Sequence, residues 1–239
     1  MNNDSPSPAT GTPWAKLALL AVFVSVIVAF FALGGQKYLS LDAVKANRDA
    51  LIQFTDMHFA AALAIAFVTY VAATAFSLPG GLVLSLTMGF LFGRWVGTLL
   101  VVTAATIGAV LVFVAARYLF ADAARRRMGA IGEKIAAGFA ENALNYLLFL
   151  RLVPVFPFFL VNLAPAFTTI SLRTFAIGTL IGIIPGTFVY VNLGQTLGRI
   201  DAVSGLVSME TIGAFVLLGV LALVPVLVKK FRATRVEKA

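Results

Sequence analysis

The chain has 239 residues, 61% of them hydrophobic and 12% charged, with a mean hydropathy of +1.00. The charged share is about half the roughly 25% typical of soluble domains, which excludes a soluble globular protein. The net charge of +8 sits at the flanks of apolar runs, the pattern of a positive-inside membrane protein with affinity for anionic lipid rather than of a nucleic-acid binder.

Residues 1–13 carry three of the nine prolines among Ser, Thr and Asn and read as a disordered tail. Trp14 and Lys16 then anchor a first apolar helix over 17–36. A cleavable signal peptide is the rival reading, but the span exceeds the usual apolar core of about 7–15 residues. Segment 37–58 mixes Lys37, Asp42, Lys45, Arg48, Asp49 and Asp56 with spaced apolar positions, and reads as a short extramembrane helix ending at an interfacial His58.

Segment 59–93 has no charged side chain. As one straight helix it would run about 52 Å, against a bilayer core of about 30 Å. It must break, and Leu78-Pro79-Gly80-Gly81 is where. The remaining arm, 82–93, is too short to span as a helix. The segment is either a crossing with a broken return or a re-entrant hairpin, and both readings begin and end on one side.

A crossing over 95–116 closes at Arg117. The basic stretch 121–141 places Met128, Ile131, Ile135 and Phe139 at helical spacing, opposite Arg126, Arg127, Glu133 and Lys134 with Arg125 near the boundary. An amphipathic helix lying on an anionic leaflet is expected, with Arg125, Arg126 and Arg127 at the headgroups.

Arg151 is then the lone charge in the apolar run 142–172, which Pro154, Pro157 and Pro165 break. An arginine at bilayer depth costs roughly 2.5–3.5 kcal/mol on insertion scales, so it faces protein, water or a partner. Irregular backbone at that depth lines a cavity or is buried in protein. Residues 151–162 therefore read as a second hairpin, bearing a site. Helices over 174–198 and 211–228 follow, then a basic tail, 229–239. A single transmembrane domain over 14–228 is expected.

With both termini inside, Lys16, Arg117, Arg125, Arg126, Arg127, Lys134, Arg173 and five tail residues make twelve inner cations. Lys37, Lys45, Arg48, Arg94 and Arg199 make five outer ones, and Arg151 stays in the membrane. The excess fits the positive-inside rule and puts the two hairpins on opposite faces, the layout of an inverted repeat. Each half shows a proline-broken hairpin, an arginine (Arg94, Arg173) and a spanning helix. Each also carries glycines four apart, Gly89, Gly93, Gly97 and Gly178, Gly182, Gly186, which share a helix face and permit close packing. The expected fold is an all-α polytopic membrane protein, an inverted repeat with two re-entrant, proline-broken hairpins entering from opposite faces.

Gly89-Phe-Leu-Phe-Gly93, Ile107-Gly108-Ala109, Arg117, Arg151-Leu-Val-Pro-Val-Phe-Pro-Phe-Phe-Leu-Val-Asn162 and Gly178-Thr-Leu-Ile-Gly-Ile-Ile-Pro-Gly186 together resemble the SNARE-associated Golgi protein family, the VTT-domain branch of the DedA superfamily. The resemblance covers roughly residues 60–200. It implies two oppositely facing re-entrant hairpins, a bacterial inner-membrane or eukaryotic endomembrane location, and a role in moving lipids between leaflets. DedA proteins place an acidic residue by the first hairpin, where Phe76-Ser-Leu-Pro-Gly80 has none, and a second arginine where this chain has Pro157. Proton coupling through that carboxylate and a specific claim for a polyprenyl phosphate both lose support.

The expected function is translocation of phosphate-bearing lipid, with membrane lipids as partners, no cofactor, and a homo-oligomer left open. Arg151 is the phosphate ligand, because a planar guanidinium fork pairs with phosphate in a bidentate way. Ser77 and Asn162 are candidate headgroup contacts, and Asn192 and Gln195 could extend the polar route. Pro79, Gly80, Gly81, Pro154 and Pro157 build the hairpins. The competing role for Arg151 is an internal staple, and for Arg94 and Arg173 it is anchoring at the interface. A small-solute or ion transporter on the same scaffold, or a membrane organiser recruiting through Arg125–Arg127 and the tail, are the alternative functions. No cysteine is present, which removes thiol chemistry. No nucleotide-binding, zinc-protease or serine-hydrolase motif is present either, so neither an enzyme nor a metal site is expected.

Overall fold

The structure, a computed structural model, describes residues 13–127, 130–152 and 158–197. Among them there are helices and no strands. Three of the helices are long and apolar enough to cross a membrane, over Trp14–Ala32, Gly81–Leu119 and Leu172–Thr196. Pro154, Pro157, Arg199, the crossing expected over 211–228 and both terminal tails (up to residue 12, and 229–239) lie outside the described residues.

Helix α1 (Pro13–Ala32) stops at Gly34, whose φ of 70° is left-handed. The single extramembrane helix expected over 37–58 is instead three short ones, α2 (Gly35–Tyr38), α3 (Leu41–Ala46) and α4 (Arg48–Met57). Ser40 divides the first two: its hydroxyl donates to the Lys37 carbonyl at 2.6 Å and accepts from the Ala43 amide at 3.2 Å, an N-cap that restarts the chain in a new direction. His58 is exposed at the junction of α4 with α5, its ring 5.5 Å from that of Phe54.

Helix α5 (Phe59–Ala75) ends in a hydrogen-bonded cap: Ser77 N–H reaches the Thr74 carbonyl at 3.0 Å and Leu78 N–H the Ala73 carbonyl at 2.8 Å. That pair defines a Schellman motif, and its left-handed position is filled by Ser77, φ 53°, where glycine is the usual residue. A side chain there costs about 1–2 kcal/mol relative to right-handed backbone. Pro79 and Gly80 (φ 112°) complete the break before α6 (Gly81–Arg127). Helix α6 is itself two helices, divided at Gly93 (φ 73°, ψ 175°) into arms of 81–92 and 94–127. Gly93 is therefore a hinge in the backbone rather than a rung of a continuous packing ladder. At 1.5 Å per residue α5 is about 26 Å long and the first arm of α6 about 18 Å.

Helix α7 (Ala130–Leu152) bends at Asn142. The amphipathic stretch expected over 121–141 is thus divided between the end of α6, which holds the backbone of Arg125, Arg126 and Arg127, and the start of α7. Helix α8 (Phe158–Leu163), a 3₁₀ turn (Ala164–Phe167) and α9 (Leu172–Leu197) follow. Pro185 sits inside α9, leaving the Ile181 carbonyl without its helical donor.

The central partnership is α6 with α9. The first arm of α6 lies against the C-terminal half of α9, where Gly89 meets the Val191 carbonyl and Gly194 meets the Leu86 carbonyl. The N-terminal half of α9 instead packs on α7: a Cβ at Gly178 would sit 2.8 Å from Leu147, and one at Gly182 2.8 Å from the Arg151 Cβ. Two cores result. One joins α5, α6 and Val191 around Tyr70, Met88 and Val101; the other gathers Phe113, Phe139, Leu147, Val161 and Phe175.

Arg117 ties the second core together. Its guanidinium stacks 4.3 Å from the Phe113 ring. Nε donates to the Ala166 carbonyl at 3.2 Å, and Nη2 to those of Thr168 and Ile170 at 2.9 and 2.8 Å. The Ala166 carbonyl lies in the 3₁₀ turn and those of Thr168 and Ile170 follow it, in the link to α9. Arg117→Ala should lower stability by about 3 kcal/mol, since charge-assisted bonds to three acceptors are lost together. The melting temperature of detergent-purified protein reads this out, and Arg117→Lys should recover only part of the loss.

Candidate functional site

The first chain break meets the ends of α7 and α8 that flank residues 153–157. A cavity of about 600 Å³ is lined by Ser77, Pro79, Gly80 and Gly81 at the first break, by Arg151 at the end of α7, by Phe158 and Phe159 at the start of α8, and by the Ile183–Tyr190 stretch of α9. Tyr70, Thr74 and Ser85 form its remaining polar wall. At the first break the backbone of Ser77, Pro79 and Gly80 has no helical continuation, and backbone that cannot hydrogen-bond to itself at this depth needs a cavity or protein contact.

Arg151 occupies the last turn of α7. Its Nη2 donates to Thr179 Oγ1 at 2.9 Å, while its Nε and Nη1 are buried without a hydrogen-bond partner. The guanidinium carbon lies 5.2 Å from the centre of the Phe158 ring and 5.5 Å from that of Phe175, which hold its plane. Gly182 makes this possible, because its bare backbone lets the arginine stem pass between α7 and α9. Gly186 lies one turn further along the same wall. The arrangement leaves two donors of the guanidinium buried and unpartnered on a residue that lines the cavity.

Ser77 and Arg151, inferred independently from the sequence, thus line one cavity, and Ser77 Oγ is likewise buried with no hydrogen-bond partner. Asn162 does not line it. Its side chain is completely buried in α8, with both amide atoms unpartnered. Gln195 serves elsewhere: its Oε1 accepts from the Arg94 amide and from Arg94 Nε, both at 3.1 Å, so Arg94 latches the Gly93 hinge to α9 rather than only anchoring at an interface. Arg173 is exposed at the start of α9, and Asn192 is half-buried on it.

Sequence reasoning missed Thr179, Tyr70, Ser85 and Gly194. Thr179 follows Gly178 directly, and Gly194 continues the four-residue row Gly178, Gly182, Gly186 at its next small position, which was a usable signal. Tyr70 and Ser85 carried none, because single hydroxyls in apolar helices occur throughout the chain. Among the described residues no group of His, Cys, Asp or Glu is placed to hold a metal ion.

Comparison with known proteins adds to this geometry. The VTT domain family model matches residues 78–196, spanning both breaks and α9. The Transmembrane protein 41 homolog of Dictyostelium discoideum is 34% identical over 195 residues, covering 78% of this chain and 57% of the relative. The homolog of Caenorhabditis elegans is 26% identical over 243 residues, covering 95% of this chain and 98% of the relative. Human Transmembrane protein 41B is 27% identical over 199 residues, covering 80% and 66%. The chain thus spans little more than half of the first of these relatives and nearly all of the second. No solved structure matches it.

Proposed function

Because the chain belongs to the VTT-domain family, the SNARE-associated branch of the DedA superfamily, we propose that it moves phosphate-bearing lipids between the two leaflets of its membrane, with Arg151 as the phosphate ligand. The observation that carries this reading is the pair of buried, unpartnered donors on Arg151, a residue that lines the same cavity as the first chain break. A headgroup crossing hydrocarbon needs a polar path and a counter-charge. The cavity offers both, and its Phe158 and Phe159 walls suit the adjoining acyl portion.

In this reading both breaks are re-entrant. The lengths of α5 and of the first arm of α6 support that for the first break, since about 26 and 18 Å both fall short of a core of about 30 Å. The chain acts as a lipid carrier rather than an enzyme. The test is flipping by purified protein in liposomes, followed with a fluorescent phospholipid quenched from outside. Rapid loss of the inner-leaflet signal is expected, and its absence with well-folded protein would sink the reading.

We propose a bacterial inner membrane as its location and, on the charge count, place both termini on the cytoplasmic side. The absence of cysteine makes this directly measurable. In cells, Asn47→Cys should react with a membrane-impermeant maleimide from outside, whereas Ser5→Cys should react only after permeabilisation. The reverse pattern would invert the topology.

A further inference from the structure

The cavity walls differ in more than the presence of one arginine. No residue lining the cavity is acidic. Among the residues whose side chains are described, the carboxylates are Asp42, Asp49 and Asp56, all exposed on the 35–57 segment. Arg151 is therefore the only charge among the described residues that line the cavity, and no carboxylate among them offsets a second cation brought inside.

The hydroxyls have a defined polarity. Ser85 Oγ has one proton, and it donates that to the Gly81 carbonyl at 2.8 Å. In the 3.0 Å contact between Tyr70 and Ser85 the proton must then come from Tyr70. The Tyr70 oxygen is left as an acceptor at the cavity wall. Across the first break, Ser77 keeps a buried, unpartnered hydroxyl on a left-handed backbone position that glycine would fill without strain. A strained residue carrying an orphan polar group points to a role in binding rather than in folding.

We infer that this cavity selects lipids whose phosphate carries an uncharged, hydroxyl-bearing group, such as a glycerol or sugar phosphodiester, over lipids whose phosphate carries an amine, with Ser77 and Tyr70 as the specificity-determining residues. This rests on the lipid-translocating reading of the same site. The phosphate charge is taken up by Arg151. A headgroup hydroxyl then donates to Tyr70 and exchanges a bond with Ser77, leaving no group unpaired. An ammonium or trimethylammonium would enter a low-dielectric space already holding a cation, with no carboxylate to receive it.

The experiment compares three fluorescent phospholipids with identical acyl chains (phosphatidylglycerol, phosphatidylcholine and phosphatidylethanolamine) in flipping by the full chain in liposomes. Melting temperature with short-chain versions of the same lipids is measured in parallel. Phosphatidylglycerol should flip about tenfold faster than the other two, the factor expected of one or two hydrogen bonds made to it alone. Tyr70→Phe and Ser77→Gly should each bring the ratio down to about two, the loss of one bond. Ser77→Gly controls for folding, since it should hold or raise the melting temperature while still lowering the ratio.

Equal rates for the three lipids, or a ratio unchanged in both variants, would overturn the selectivity and leave translocation standing. If no lipid flips, but phosphatidylglycerol alone raises the melting temperature in an Arg151-dependent way, the selectivity holds and translocation falls. Neither flipping nor a selective shift overturns both.

Discussion

Arg151→Ala should slow lipid flipping about 100-fold, the loss of two charge-assisted hydrogen bonds from Nε and Nη1 to phosphate at roughly 1.4 kcal/mol per decade of rate. The fold should survive the change. Only one protein hydrogen bond is lost, that to Thr179 Oγ1. A helical threonine freed of a partner can turn its hydroxyl to the carbonyl four residues earlier, as Thr55, Thr87 and Thr106 do in this chain. Arg151→Lys keeps the charge and loses the planar fork, so it should retain an intermediate rate. Size-exclusion profiles and helical circular dichroism matching wild type make the comparison interpretable. A full rate from well-folded Arg151→Ala would return the arginine to the role of an internal staple between α7 and α9.

The second large effect is on assembly of the helices. Gly89→Ala or Gly194→Ala should each destabilise the protein by about 3 kcal/mol, the upper part of the range for overpacking. A Cβ on Gly89 would run into the Val191 carbonyl, and one on Gly194 into the Leu86 carbonyl. Both obstacles are backbone, so relief requires the first arm of α6 and the end of α9 to separate, and that is the central contact of the fold. A fall in melting temperature of about 6–12 °C is expected for a chain of this size. Gly81→Ala is the matched control, because nothing lies within 4 Å of its Cβ. It should change stability by no more than about 0.5 kcal/mol. Similar losses at all three positions would mean that helix flexibility, not close approach, explains the glycines.

Much of the architecture was legible in the chain because hydrocarbon imposes few solutions. Apolar length and the scarcity of charge required spanning helices, and the Leu78-Pro79-Gly80-Gly81 run required a break in a segment too long for one crossing. Arg151 stood out for the same reason, since a lone cation in an apolar run must find a polar environment. Local rules, too, explain why 35–57 folds as three short helices, but only once Ser40 is seen to cap.

Other features depended on what lies far along the chain. That Gly93 is a hinge and Gly89 a contact point follows from where α9 passes, and the four-residue spacing is the same for both. Arg94 pairs with Gln195 across 101 positions, and Arg117 reaches carbonyls 49 to 53 positions away. Composition and residue order together therefore determined that this chain lives in a membrane, where it must break and which charge is out of place. Only the tertiary structure decided that Ser77, Tyr70 and Arg151 share one cavity while Asn162 stands apart from it. The reason is physical: burial in lipid acts on each segment separately, whereas a binding cavity exists only between segments, through the packing of side chains that sequence spacing does not encode.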